Sequence, residues 1–190
     1  MRNVWFTADT HFGHSKIIEF CKKTRPCEES EMDDVLIDKW NSVVKDNDVI
    51  YVLGDFCWKR NADYYINQLN GNIKFIPGNH DIWMSKNNLK KQNFKKTNFE
   101  ILNHYVEEKF NKIKFVLCHY PIVQWNRMQY GSFHLYGHMH GALTMEGKCL
   151  DVGIDNREKC DMLPFNLDEI FEYMKDKPIK QHRLIENNIK

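Results

Sequence analysis

The chain has 190 residues, a formal net charge of +1, 28% charged and 42% hydrophobic residues. That length suits one domain with a full core, since domains run at about 100 to 200 residues, and the near-zero charge argues neither for nor against a nucleic-acid partner. No apolar run approaches the ~20 residues needed to cross a bilayer. The six cysteines (Cys21, Cys27, Cys57, Cys118, Cys149, Cys160) form no C-x-x-C knuckle and follow no secretory signal, which predicts reduced thiols in a cytoplasmic protein with no membrane role.

Residues 3–8 are a β-branched and aromatic run too short for a helix, which predicts a buried strand ending at Asp9. Residues 14–21 predict a short helix, broken by Arg25-Pro26. Ser30 followed by Asp33 predicts the start of a helix whose apolar positions Met32, Val35, Leu36, Trp40, Val43 and Val44 keep the 3.6-residue period. Residues 48–53 return to strand and deliver Gly54-Asp55. A helix over 62–69 and a turn at Asn70-Gly71 precede a strand over 72–76, which delivers Pro77-Gly78-Asn79-His80-Asp81. Residues 82–99 hold no acid and five lysines, Lys86, Lys90, Lys91, Lys95 and Lys96, among Trp83, Phe94 and Phe99. Strands are predicted over 100–105, 112–118, 132–136 and 148–152, so the second half reads as β-rich and in part antiparallel. Asn166 predicts the N-cap of a closing helix with Leu167, Ile170, Phe171 and Met174 on one face, and 176–190 follows as a final strand or a frayed end. The pattern predicts an α/β fold and a single domain over 1–190, with the motif-bearing core in about 1–160 and the closing helix and tail in 166–190.

Ligand-type residues recur where apolar runs stop: Asp9 and His11, Asp55, Asn79, His119, then His138 and His140. Two carboxylates, one amide oxygen and four imidazoles from five strand ends are too many for one ordinary site. A lone catalytic metal takes about three protein ligands, so the set fits two ions sharing a carboxylate. Carboxylates mixed with imidazoles, without a thiolate cluster, favour Mn, Fe or Zn over a structural zinc site. Two such ions about 3.5 to 4 Å apart grip a phosphate and lower the pKa of a water between them. Four of the nine glycines, Gly54, Gly78, Gly137 and Gly141, flank these candidates, where backbone must turn sharply close to an ion.

The ordered set Asp9-x-His11, Gly54-Asp55, Gly78-Asn79-His80-Asp81, His119 and Gly137-His138-x-His140 resembles the calcineurin-like metallophosphoesterase superfamily over roughly residues 1–160. The Asp-Thr-His-Phe-Gly-His opening, Arg25-Pro26, Trp40-Asn41 and Asp151-Val-Gly-Ile-Asp155 are similar to a small bacterial and phage branch of it. The resemblance implies the metallo-dependent phosphatase fold, an α/β/β/α sandwich of two packed mixed sheets flanked by helices. It implies that Asp9, His11 and His140 hold one metal, that Asn79, His119 and His138 hold the other, and that Asp55 bridges them. It further implies hydrolysis of a phosphate mono- or diester by a metal-bridging hydroxide, with His80 protonating the leaving oxygen and Asp81 orienting His80. Two divalent ions per chain are expected, Mn first, with Fe, Zn or Ni as the other ions.

Beyond the metal set, His14 and Arg25 are the substrate-binding candidates. His14 either reaches the substrate or packs on the short helix, and Arg25 either binds phosphate as a fork or makes a structural ion pair. Asn41 and Asp155 read as helix-end and strand-end residues, and His104, His134 and His182 belong to no motif and read as structural. The lysine stretch is either a solvated helical face or a basic flank guiding a nucleotide or nucleic acid to the metals. The lack of a large cap domain points to an open site accepting nucleotides, cyclic nucleotides or nucleic-acid ends. Two rival readings stand beside the hydrolase: a silent metal-binding scaffold that binds a protein partner, and a site with one structural ion.

Overall fold

The computed structural model describes residues 2–58 and 61–181. One sheet contains β1 (Val4–Thr7), β2 (Val49–Leu53), β3 (Asn72–Ile76), β4 (Phe99–Ile101) and β9 (Phe165–Asn166), in the order β4-β3-β2-β1-β9. Its first four strands run parallel, and β9 pairs antiparallel with β1. The second sheet contains β5 (Tyr105–Phe110), β6 (Ile113–Cys118), β7 (Phe133–Tyr136) and β8 (Cys149–Asp151), in that order. Here β5 and β6 form an antiparallel hairpin and the remaining pairs are parallel. The helices are α1 (Ile17–Phe20), α2 (Met32–Val43), α3 (Ala62–Ile66), α4 (Lys86–Leu89) and α5 (Leu167–Lys175).

The first sheet is buried on both faces, which is why β2 reads Val-Ile-Tyr-Val-Leu with no polar alternation. Ile50 and Val52 face the cluster that contains Leu36, Ile37 and Trp40 of α2. Tyr51 and Leu53 face the other way, into a core shared with Phe115, Leu117 and Leu135 of the second sheet and with Ile170 and Met174 of α5. Trp40 is wholly enclosed and donates its indole N–H to the Asn70 carbonyl at 3.0 Å, so Trp40→Ala should destabilise by about 3–5 kcal/mol. The outer face of the second sheet is covered by Trp125 and Met128 from the loop after β6.

The closing helix starts as expected. Asn166 accepts from the Asp168 amide, and Glu169 reaches back to the Asn166 amide, which completes a capping box. The start of α2 differs from expectation: Glu31 precedes it with no side-chain cap, and Asp33 instead accepts from the Gly13 amide and the Tyr65 hydroxyl. The strand expected over 100–105 is two strands, β4 ending at Ile101 and β5 beginning at Tyr105. In β5 the residues are alternately exposed and half-buried, so Tyr-Val-Glu-Glu-Lys-Phe carries too little apolar signal to stand out. The described part of the tail, 176–181, contains no strand, and the rest of it, with His182, lies outside the described residues.

Candidate metal centre

Parallel pairing sets the carboxyl ends of β1, β2 and β3 side by side, and the loops leaving them zip together. The amides of Asp9, His11 and Phe12 donate to the carbonyls of Gly54, Asp55 and Phe56, each at 3.0 Å. The second sheet joins the same edge through the His138 amide, which donates to an Asp9 carboxylate oxygen at 2.8 Å, while the Gly137 amide ties the ends of β7 and β6 together at the His119 carbonyl. Close approach leaves no room for side chains at the glycines. At Gly54, with φ +84°, a Cβ would lie 2.4 Å from His119 Nδ1, and at Gly78 it would lie 2.3 Å from Asp55 Oδ1.

Two groups of donors gather at these loops, beside a third, Cys21, His140 and Asp155, in which Asp155 accepts from Nδ1 of His140. Ligand atoms of Asp9, His11 and His140 lie within 4.8 Å of one another, and so do those of Asp55, His119 and His138. Asn79 Oδ1 joins the second group at 3.1 Å from His119 Nε2. Asp55 Oδ2 stands between the groups, 3.7 Å from His11 Nε2 and 3.5 Å from His119 Nε2.

The imidazoles are prepared in different ways. His119 Nδ1 lies 2.8 Å from the Leu53 carbonyl, which only accepts, so the proton sits on Nδ1 and Nε2 is left as a donor atom. His140 Nδ1 donates to Asp155 Oδ2 at 2.7 Å; burial pulls the ring's pKa down, but this bond, with Cys21 and Asp9, holds it up at about 10, so Nε2 releases a proton when it takes a cation. Both ring nitrogens of buried His11 lack a hydrogen-bond partner among the described residues. Burial, with the nearby positive groups, pushes the pKa of His11 down to about 2, so the ring is neutral and able to coordinate. Burial raises the Asp9 carboxyl well above its usual range, and the neighbouring carboxylates of Asp151 and Asp55 add to this. Orphaned imidazole nitrogens beside crowded, desolvated carboxylates are the environment a cation relieves, so this donor set fits divalent metal ions.

Five of these residues carry a left-handed backbone: Asp9 (φ 56°), His11 (51°), Asp55 (53°), His138 (71°) and His140 (48°). Asp and His are among the L residues that tolerate this region best, and sharp turns there aim successive side chains into one space.

His80 lies at the mouth of the site, its side chain 38% exposed and Nε2 3.9 Å from Asp55 Oδ2. Its backbone amide donates to Asp55 Oδ1 at 2.9 Å. The pairing expected for Asp81 is corrected: its carboxylate accepts from the amides of Asp55, Phe56 and Gly78 and from the Trp83 indole, at 2.8–2.9 Å. It therefore fastens the loops after β2 and β3 and does not orient the His80 ring. The phosphate fork expected at Arg25 is corrected too. Arg25 is buried, its guanidinium pairs with Asp155, and its remaining N–H groups reach the carbonyls of Asp9 and Thr10. A group so enclosed does not meet substrate; it braces the β1 loop and Asp155.

His14 does reach the rim, stacked on Trp58 with ring centroids 4.2 Å apart, and Trp58 in turn packs 4.8 Å from His80. Burial, helped by the charges of His80 and Arg25, lowers the His14 pKa. Tyr120 packs against both His119 and His138. Trp58, Tyr120 and the supporting role of Asp155 were missed in the sequence; the cues available were an aromatic three positions after Asp55, one directly after His119, and Asp155 inside a recognised block. His134 is structural as expected, with Nδ1 on the Val116 carbonyl and Nε2 accepting from the Ile122 amide, and His104 is exposed. Asn41 is structural as well, bonded to Gln68 and Asn70. In the lysine stretch, Lys86, Lys90, Lys91 and Lys95 are exposed, whereas half-buried Lys96 donates to the Leu69 carbonyl.

The family described as calcineurin-like phosphoesterase matches residues 2–138. The uncharacterized protein MJ1445 of Methanocaldococcus jannaschii is 33% identical over 144 residues, covering 74% of this chain and 70% of that protein. The gene 66 protein of Mycobacterium phage D29 is 26% identical over 202 residues, covering 93% of this chain and 98% of that one. The solved structure of the protein of unknown function AQ665 from Aquifex aeolicus shares the fold, with a TM-score of 0.66 at 24% identity over 91% of this chain and all of its own. The family match takes in β1 to β7 and reaches His138 among the donors, and it establishes that this chain belongs to the calcineurin-like phosphoesterases and is a metal-dependent phosphoric ester hydrolase.

Proposed function

We propose that Asp9, His11 and His140 hold one divalent cation, that Asn79, His119 and His138 hold a second, and that Asp55 serves both, in a single domain formed by the whole chain. The observation that carries this reading is the place of Asp55 Oδ2, within 3.7 Å of an imidazole nitrogen from each group. Mixed oxygen and imidazole donors support Mn, with Fe, Zn or Ni as the other ions. When bound, such ions supply Lewis acidity to a phosphoryl group and make water acidic enough to attack at neutral pH. The chain's own part is to hold the phosphate at the open edge and to move a proton. His80, half out in solvent and adjacent to Asp55, donates to the departing oxygen of a phosphate mono- or diester, and His14, stacked on Trp58, lies on the substrate side.

The open rim and the four exposed lysines, Lys86, Lys90, Lys91 and Lys95, support a nucleotide, cyclic nucleotide or nucleic-acid end as substrate. The unpaired state of all six cysteines supports a reducing, cytoplasmic setting. The test is hydrolysis of mono- and bis-p-nitrophenyl phosphate by Mn-loaded and EDTA-treated protein. His80→Ala should lower turnover by about 10²–10⁴-fold with metal content unchanged. Full activity in that variant removes His80 from its role, and silence on both esters with two ions bound moves the reading to a binding scaffold.

A further inference from the structure

A groove of about 600 Å³ opens beside His140, between the segment carrying α1 and the chain just after His140. Phe20, Cys21, Lys22, Lys23 and Ala142 line it together with His140, and no Asp or Glu is among the described lining residues. In α1, Ile17 and Ile18 turn into the core, whereas Phe20 is 80% exposed. A single exposed Phe is ordinary on any surface. This one lines the same groove as a candidate metal ligand and stands two positions from a pair of exposed lysines, Lys22 and Lys23. Trp58 and Tyr120, two other large aromatics at the site, are already packed, Trp58 against His14 and His80 and Tyr120 against His119 and His138.

We propose that this groove is the subsite for the nucleoside of a nucleotide ester, with the base against Phe20, one phosphate on the His140 side at the metal centre, and a neighbouring phosphate near Lys22 and Lys23. The proposal rests on the phosphoesterase reading above and names its substrate class. An aromatic ring accepts any base by its π-face, and paired cations favour a second phosphate over neutral extensions.

The test uses the full-length, Mn-loaded protein, titrated calorimetrically with thymidine 3′,5′-bisphosphate and with methyl phosphate. The bisphosphate should bind at least about tenfold more tightly. Phe20→Ser, which removes a solvent-exposed side chain, and Ala142→Trp, which fills the groove from an exposed position, should each shrink that advantage to within about threefold, with methyl phosphate affinity unchanged. Lys22→Gln with Lys23→Gln should weaken only the bisphosphate and flatten its salt dependence. Equal affinities in the unaltered protein, or an advantage that survives both groove variants, overturn the proposal. If the advantage follows the groove variants while no phosphate ester is hydrolysed, the groove stands and the proposed reaction falls.

Discussion

The two halves of the donor cluster are braced by different physics. On one side His140 is gripped by a carboxylate, Asp155, which is itself locked in a fully buried ion pair with Arg25. On the other side His119 is held by a neutral backbone carbonyl, that of Leu53. Burial alone would raise the Asp155 carboxyl, yet His140, Arg25 and Thr24 together hold it well below the usual carboxylate range. A charged brace makes its imidazole a more basic ligand but depends on every member being present, whereas a carbonyl brace is weaker and survives any side-chain substitution. The halves should therefore bind metal unequally and fail unequally.

Removing the group common to both halves should have the largest effect. Asp55→Ala is expected to lower turnover by more than about a thousandfold and to bring bound metal below one ion per chain, measured by elemental analysis. Two ions retained without Asp55 would break the idea of a shared carboxylate. Arg25→Met leaves the buried Asp155 charge without its guanidinium, with only His140 and Thr24 against it, and a loss of about 3–5 kcal/mol in denaturant unfolding is expected. A loss under about 1 kcal/mol would mean that the brace is solvated and the contrast overstated.

His134 sharpens the comparison because it is built like His119, with Nδ1 on a carbonyl, but its Nε2 meets an amide instead of a metal site. Burial lowers its pKa from 6.5 to about 4, against the opposing pull of its backbone hydrogen bonds. The unfolded chain therefore takes up this proton first, so the contribution is fully present above pH 6.5 and is lost as pH falls toward about 4. His134→Gln should remove up to roughly 3 kcal/mol of acid sensitivity over that window, read as a flatter curve of unfolding free energy against pH. An unchanged slope would show that other groups set it. Asp155→Asn strands the buried Arg25 charge and so should cost stability as Arg25→Met does, but in the folded protein it has the smallest expected effect on metal, weakening Mn at Asp9, His11 and His140 by about 10–100-fold and leaving the Asn79, His119 and His138 side within about twofold. Equal weakening of both sites would merge the two halves into one.

The strand ends were legible because a buried parallel strand must be a nearly unbroken apolar run, and every ligand-type residue follows such a run or its turn. What stayed hidden has no local signature. A buried Arg25 needs a carboxylate 130 positions away, so its role becomes visible only once Asp155 is placed beside it. Asp81 was misassigned because most of its partners are backbone amides, which every sequence offers equally. The spacing of Ser30 and Asp33 likewise predicts a capped helix start, although Asp33 meets the Gly13 amide and the Tyr65 hydroxyl instead.

The twisted backbone at Asp9, His11, Asp55, His138 and His140 implies a trade between endurance and chemistry. An L residue held there gives up about 1 kcal/mol or more relative to glycine, less for Asp and His than for branched residues. Replacing these positions by glycine would relieve the main chain while erasing the side chains proposed to hold metal. Selection for ruggedness alone would then erode this edge of the sandwich first.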